Sequence, residues 1–124
     1  MYLLDTNTVI DFCNSKLPLN AKKFLTNIEP AISVITSIEM FASAKIPENE
    51  LITLESFIKI ATIYDRIDSE IVAKSIEIRQ KYKIKLPDAI IGTTALVNNL
   101  TLITRNISDF DEIEGLEIIN PYNL

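Results

Sequence analysis

Residues 1–14, MYLLDTNTVIDFCN, decide how the whole chain is read. Tyr2, Leu3 and Leu4 form an apolar run that stops at Asp5, which predicts a short buried strand over 2–5. The residues after it predict a helix over 7–14. A strand with no polar alternation is apolar on both faces, as in a parallel sheet covered by helices on each side. In such a sheet, ligands bind beyond the carboxyl ends of the strands, where loops and helix N-termini meet. Asp5 is placed at such an end.

The same unit recurs outward from this stretch. Residues 20–28, NAKKFLTNI, predict a helix with Phe24, Leu25 and Ile28 inward, and 31–35, AISVI, predict a second strand between Pro30 and Thr36. Helix signals cover 36–45 and resume after Pro47, where Leu51, Leu54 and Ile58 share one face. Residues 61–64 read as a short strand, and Asp68 caps a helix running to 82 with Val72, Ile76 and Tyr82 along one side. Pro87 opens a helix over 87–99, since proline is tolerated in the first turn. Strands at 101–104 and 116–119 complete the series. The pattern predicts an α/β fold in three layers, with a central, mostly parallel five-stranded sheet flanked by helices.

The 124 residues fit one domain, 1–124, and 48% hydrophobic with 23% charged residues is the balance of a folded chain. A net charge of −5 excludes a wholly basic surface for coating nucleic acid but leaves room for a local basic strip. The absence of His removes Ser-His-Asp and Cys-His nucleophile activation, along with His-ligated zinc and haem. Cys13 is the only cysteine, so no internal disulfide or thiolate cage forms, as expected of a reducing, cytoplasmic setting. No apolar run approaches the roughly 20 residues that span a bilayer, and no basic stretch precedes Asp5 and Asp11, so neither a membrane segment nor a signal peptide is expected. Any chemistry therefore rests on carboxylates, hydroxyls, lysine or a bound cofactor.

The polar residues after the predicted strands narrow that choice. Asp5 ends the first strand, with Thr6 and Asn7 next. Thr36 ends the second, with Glu39 in the first turn that follows. Thr104 ends the fourth, followed by Arg105, Asn106 and Asp109, while Asp88 stands in the first turn after Pro87. Each acid has a plainer use: Asp5 as a helix cap, Thr36-x-x-Glu39 as a capping box, Asp88 as a favourable charge at a helix start, Asp109 in an Asx turn. Together they mean more. Two like charges about 4 Å apart repel by about 1 kcal/mol in water and about 4 kcal/mol at an effective dielectric of about 20. Four clustered anions either protonate in part or hold a cation, and an all-oxygen set suits Mg2+ or Mn2+.

Four blocks then match a known family: Leu3-Leu4-Asp5-Thr6-Asn7, Thr36-Ser37-Ile38-Glu39, Leu86-Pro87-Asp88-Ala89-x-Ile91, and Leu102-Ile103-Thr104-Arg105-Asn106-x-x-Asp109-Phe110. In this order and over essentially the whole chain, the sequence resembles the PIN-domain ribonucleases, and among them the VapC-type toxins of bacterial toxin–antitoxin pairs. The resemblance implies a PIN-like fold and an endoribonuclease using Mg2+ or Mn2+, with RNA cut by metal-activated water. It implies Asp5, Glu39, Asp88 and Asp109 as the catalytic, metal-binding acids, with Asn7 and Thr104 as polar neighbours of metal or phosphate. It also implies a homodimer and a cognate antitoxin. Arg105, beside the acids and followed by Asn106, is the candidate grip on substrate phosphate, with pairing to a nearby acid as its other use. Asp111 lies close enough to Asp109 to replace it or assist it, and Ser43 stands where many members carry Gly. Lys81, Lys83 and Lys85 alternate before Asp88, either as phosphate contacts or as a solvated helix end.

Two other readings stay open at this point. A haloacid dehalogenase-like phosphatase also starts from an acid after its first strand, but needs a second Asp where this chain has Asn7. A catalytically inactive PIN-like module for protein interaction gives no use to four gathered acids.

Overall fold

A computed structural model describes residues 1–124. Five strands form one sheet: β1 (Tyr2–Leu4), β2 (Pro30–Ser33), β3 (Thr62–Tyr64), β4 (Thr101–Ile103) and β5 (Ile118–Ile119). Their spatial order is β3-β2-β1-β4-β5, and every pairing is parallel. From β1 the chain builds one wing through β2 and β3, then returns to build the other through β4 and β5. The order thus reverses between β1 and β4, and the crevice at their carboxyl ends is where such sheets bind ligands.

Seven helices complete the architecture: α1 (Thr6–Cys13), α2 (Leu19–Thr26), α3 (Val34–Glu39), α4 (Glu48–Ile60), α5 (Ser69–Lys81), α6 (Leu86–Val97) and α7 (Ile107–Phe110), before a final 3-10 turn, Pro121–Asn123. Successive strand residues point to opposite faces, so each strand feeds two cores. Leu3, Ala31 and Leu102 pack on one face with Ile78 of α5, Ala89, Ile91 and Ala95 of α6, and Phe110 of α7. Leu4, Ile32 and Ile103 pack on the other with Val9 of α1, Ala21 and Leu25 of α2, and Leu54 and Phe57 of α4. The three-layer α/β arrangement expected from the uninterrupted apolar strands is the one observed, with the sheet wholly parallel. No helix is long and apolar enough to cross a membrane.

Several boundaries differ from the sequence reading. β2 stops at Ser33, whose hydroxyl accepts from the Thr36 amide at 3.2 Å and caps α3. Thr36 therefore lies inside the helix, and Glu39 is its last residue instead of a first-turn one, so the Thr36–Glu39 capping box does not form. The β-branched run 31–35 hid the boundary, because Val34 and Ile35 suit a strand by propensity while Ser33 supplies the stronger cap. On α5 the buried residues are Ile71, Ser75 and Ile78; Val72 and Ile76, expected along the packed side, remain exposed. The apolar set of α5 is wider than the stripe that α6 and the sheet cover. α7 has only four residues, too few for a periodic signal.

Candidate active site

Parallel register places the first pair of site residues. Leu4 pairs with Ile103, so the next residues along, Asp5 and Thr104, emerge side by side at the switch point. The Thr104 hydroxyl donates to Asp5 Oδ2 at 2.5 Å and accepts from the Asn106 amide at 3.0 Å. Asp5 Oδ1 accepts from the Thr8 amide at 2.9 Å, so Asp5 caps α1. Thr8 is fixed in turn by donating its own hydroxyl to the Ile103 carbonyl at 3.1 Å. Asp5 and Thr104 are both buried, and Asn7 projects from the first turn of α1 in an exposed position. The cap and the site role are therefore compatible: the bonds that cap the helix also hold the carboxylate still.

Glu39 reaches the same region from the end of α3. Its Oε1 accepts from the Thr6 hydroxyl at 2.6 Å, and Thr6 Oγ1 lies 3.1 Å from Thr36 Oγ1. Thr6 and Thr36 thus form a hydroxyl chain across the crevice, a positioning role the sequence reading did not assign. Its only sequence signal was the adjacency of Thr6 to Asp5.

Asp88 and Asp109 come from the opposite side. α6 starts at Leu86, one residue earlier than expected, with Pro87 and Asp88 in its first turn. Asp109 stands one residue before Phe110, which is buried against α6 beside Gly92. Phe110 and Ile113 pack close over Gly92, where a Cβ would lie 3.4 Å from each, and this contact anchors the short α7. The carboxyl of Asp88 is raised above its ordinary range, first by burial, then by the charges of Asp109, Glu39 and Asp5; Lys85 opposes the shift. All four acids therefore share one electrostatic neighbourhood. Asp109, and not Asp111, is the acid of α7 whose charge acts on Asp88.

The acids form a rim, looser than the tight knot expected from the sequence. No group of three or more His, Cys, Asp or Glu side chains closes around a point as a ready-made metal cage. Like charges repel, and Asp5 and Glu39 are already engaged by threonine hydroxyls. The donor chemistry nevertheless fits a hard divalent cation: every candidate ligand is a carboxylate oxygen, and Asp88 is raised first by burial and then by the negative charges of Asp109, Glu39 and Asp5.

Arg105 takes the second of its two expected uses. Its Nη1 donates to Asp11 Oδ2 at 3.1 Å, and the Tyr122 hydroxyl donates to the same oxygen at 2.7 Å. Asp11 had no assigned role in the sequence reading, because its partners lie at the far end of the chain. The Cys13 thiol is pushed up to about 11 by burial and stays protonated, in line with a packing role.

Comparison with known proteins places this architecture. The family model described as PIN domain matches residues 2–116. No curated protein matches the chain by sequence. Among solved structures, a toxin–antitoxin complex from Klebsiella pneumoniae is similar at 39% identity over 98% of each chain, with a TM-score of 0.79. DNA-bound VapBC from Salmonella typhimurium is similar at 26% identity over 97% of each chain, with a TM-score of 0.83. VapBC2 from Rickettsia felis, bound to a DNA fragment from its promoter, is similar at 27% identity over 96% of this chain and 97% of that one, with a TM-score of 0.79. The chain belongs to the PIN-domain family, as a VapC-type ribonuclease toxin. PIN-domain nucleases generally use divalent metal ions, which agrees with the donor chemistry of the acidic rim.

Proposed function

We propose that this chain is the toxin of a VapBC-type pair and cuts RNA internally with Mg2+ or Mn2+. The observation that carries the metal-dependent reading is the set of three like-charged neighbours around Asp88, brought together from four separate segments. Asp5, Asp88 and Asp109 would hold the ion, and Glu39 would hold a second ion or orient the attacking water. A bound divalent cation supplies an activated water near neutral pH and offsets charge on the phosphate. The chain's own part is positioning: Thr104 and the Thr8 amide fix Asp5, Thr6 fixes Glu39, and exposed Asn7 stands beside the crevice for the phosphate. In-line attack by water leaves a 5′-phosphate and a 3′-hydroxyl.

The same proposal takes 1–124 as one PIN unit, working in the cytoplasm as a homodimer under control of a cognate antitoxin. The solved neighbours support the antitoxin, since they are themselves toxin–antitoxin complexes. Attack by Asp5 itself, as in a phosphatase, is disfavoured: both of its oxygens accept hydrogen bonds, and Asn7 replaces the acid such chemistry needs.

The test is a cleavage assay with Mn2+, using the parent and Asp5→Asn. Outer partners of metal ligands alone cost about 10- to 100-fold when removed, so loss of a direct ligand is expected to cost about 100-fold or more. Equal rates for the two proteins, or undiminished parent cleavage in a chelator, would overturn the proposal.

A further inference from the structure

We infer that Arg79, Lys83 and Lys85 form a phosphate-binding strip that guides a single strand of RNA along its backbone to the Asp88–Asp109 side of the site. The inference rests on the nuclease reading for its substrate and adds to it the residues that hold that substrate. The three cations and the two acids line one cleft of about 350 Å³, with Ile84 as its apolar floor.

The local chain explains the arrangement. α5 ends at Lys81 and α6 begins at Leu86, and between them both Tyr82 and Lys85 have extended backbone. Side chains alternate in an extended segment. Tyr82 and Ile84 turn inward onto the core beneath α5 and α6, and Lys83 and Lys85 stand exposed on the other side. Two residues of extended chain span about 6.6 Å, a step suited to successive phosphates of a stretched single strand. Arg79 is tied to the same segment by donating from Nε to the Ile84 carbonyl at 3.3 Å, which leaves its terminal nitrogens available.

Pairing separates these cations from the others nearby. Lys81 lies 3.8 Å from Glu114 and over the Tyr82 ring, Lys74 pairs with Glu77, and Arg105 pairs with Asp11. Arg79, Lys83 and Lys85 have no carboxylate partner within ion-pair distance. In a chain of net charge −5, three unpaired cations along one cleft make a local positive track, the feature that lets a protein follow a nucleic-acid backbone without reading bases.

The experiment is a salt series of binding, in EDTA, to a fluorescein-labelled single-stranded RNA oligonucleotide, read by anisotropy. Each phosphate contact on a single strand contributes about 0.7 to the slope of log K against log salt. Lys83→Ala and Lys85→Ala are each expected to lower the slope by about 0.7, and Arg79→Gln likewise. Lys81→Ala, which removes the same charge outside the strip, is expected to leave it unchanged. With Mn2+ present, the strip variants are expected to raise KM more than they lower kcat. Parental slopes in the strip variants, an equal drop in Lys81→Ala, or no binding by the parent would overturn the inference. A parent that binds with this slope pattern but never cleaves in Mn2+ would overturn the nuclease reading and leave the strip standing.

Discussion

Asp11 on α1 is buried and Asp88 on α6 half-buried, and the fold surrounds them with opposite charges. Asp11 receives a guanidinium at 3.1 Å and a phenol at 2.7 Å on the same oxygen. That donation pushes the Tyr122 hydroxyl above its ordinary range, chiefly through the bond to Asp11. Asp88 faces Asp109, Glu39 and Asp5, with Lys85 alone in partial opposition. A carboxylate whose work is to hold the fold together is neutralised by donors of the chain itself. A carboxylate left among its own kind costs stability, a cost that a divalent cation would offset under the proposed function.

The contrast can be broken most decisively by Asp88→Asn. RNA cleavage in Mn2+ is expected to fall by about 100-fold or more, while the melting temperature measured in a chelator rises, because a repelled charge has been removed. Unchanged cleavage, or a lower melting temperature, would mean that Asp88 is a structural acid like Asp11. The converse variant, Asp11→Ala, leaves Arg105 and Tyr122 without their shared acceptor. It is expected to cost about 1–2 kcal/mol in urea unfolding, the half-exposed guanidinium limiting the loss, with little change in cleavage.

The smallest effect lies in the pH dependence of the metal-free protein. The Asp88 carboxyl is raised in the folded state relative to the unfolded chain, so the folded state binds its proton more tightly. Stability is therefore lost as pH rises past the ordinary carboxylate range, and the loss is complete above the raised folded value. Melting curves from mildly acidic to neutral pH, with chelator present, are expected to show this decline in the parent and a flatter profile in Asp88→Asn.

Much of the architecture was legible in residue order. The strands YLL and TLI are apolar without alternation, and each is followed within two residues by a polar side chain that the parallel register brings to one edge. Asp5 could be singled out in that way, Glu39 and Asp109 from the turns after the second and fourth strands, and Asp88 from the helix that Pro87 opens. Details that depend on competition between neighbours were not legible. Ser33 outbids Thr36 as the cap of α3, which moves Glu39 from the first turn to the last and gives it to Thr6. α7 is anchored by the burial of Phe110 against α6, a contact no four-residue periodicity can announce. Among the alternating lysines, Lys81 is distinguished from Lys83 and Lys85 by its place over the Tyr82 ring and by Glu114, which the fold carries to it.

The sequence by itself determined the α/β fold class and, through the resemblance of its four motif blocks, the family, because hydrophobic runs of strand length, helix starts and short motifs are properties of adjacent residues. Which charges are compensated was decided only by tertiary structure. Asp11 meets Arg105 and Tyr122 across 94 and 111 positions of chain, and Asp88 meets no such partner. Coulomb energy depends on distance through space, and distance along the chain says almost nothing about it until the sheet has closed.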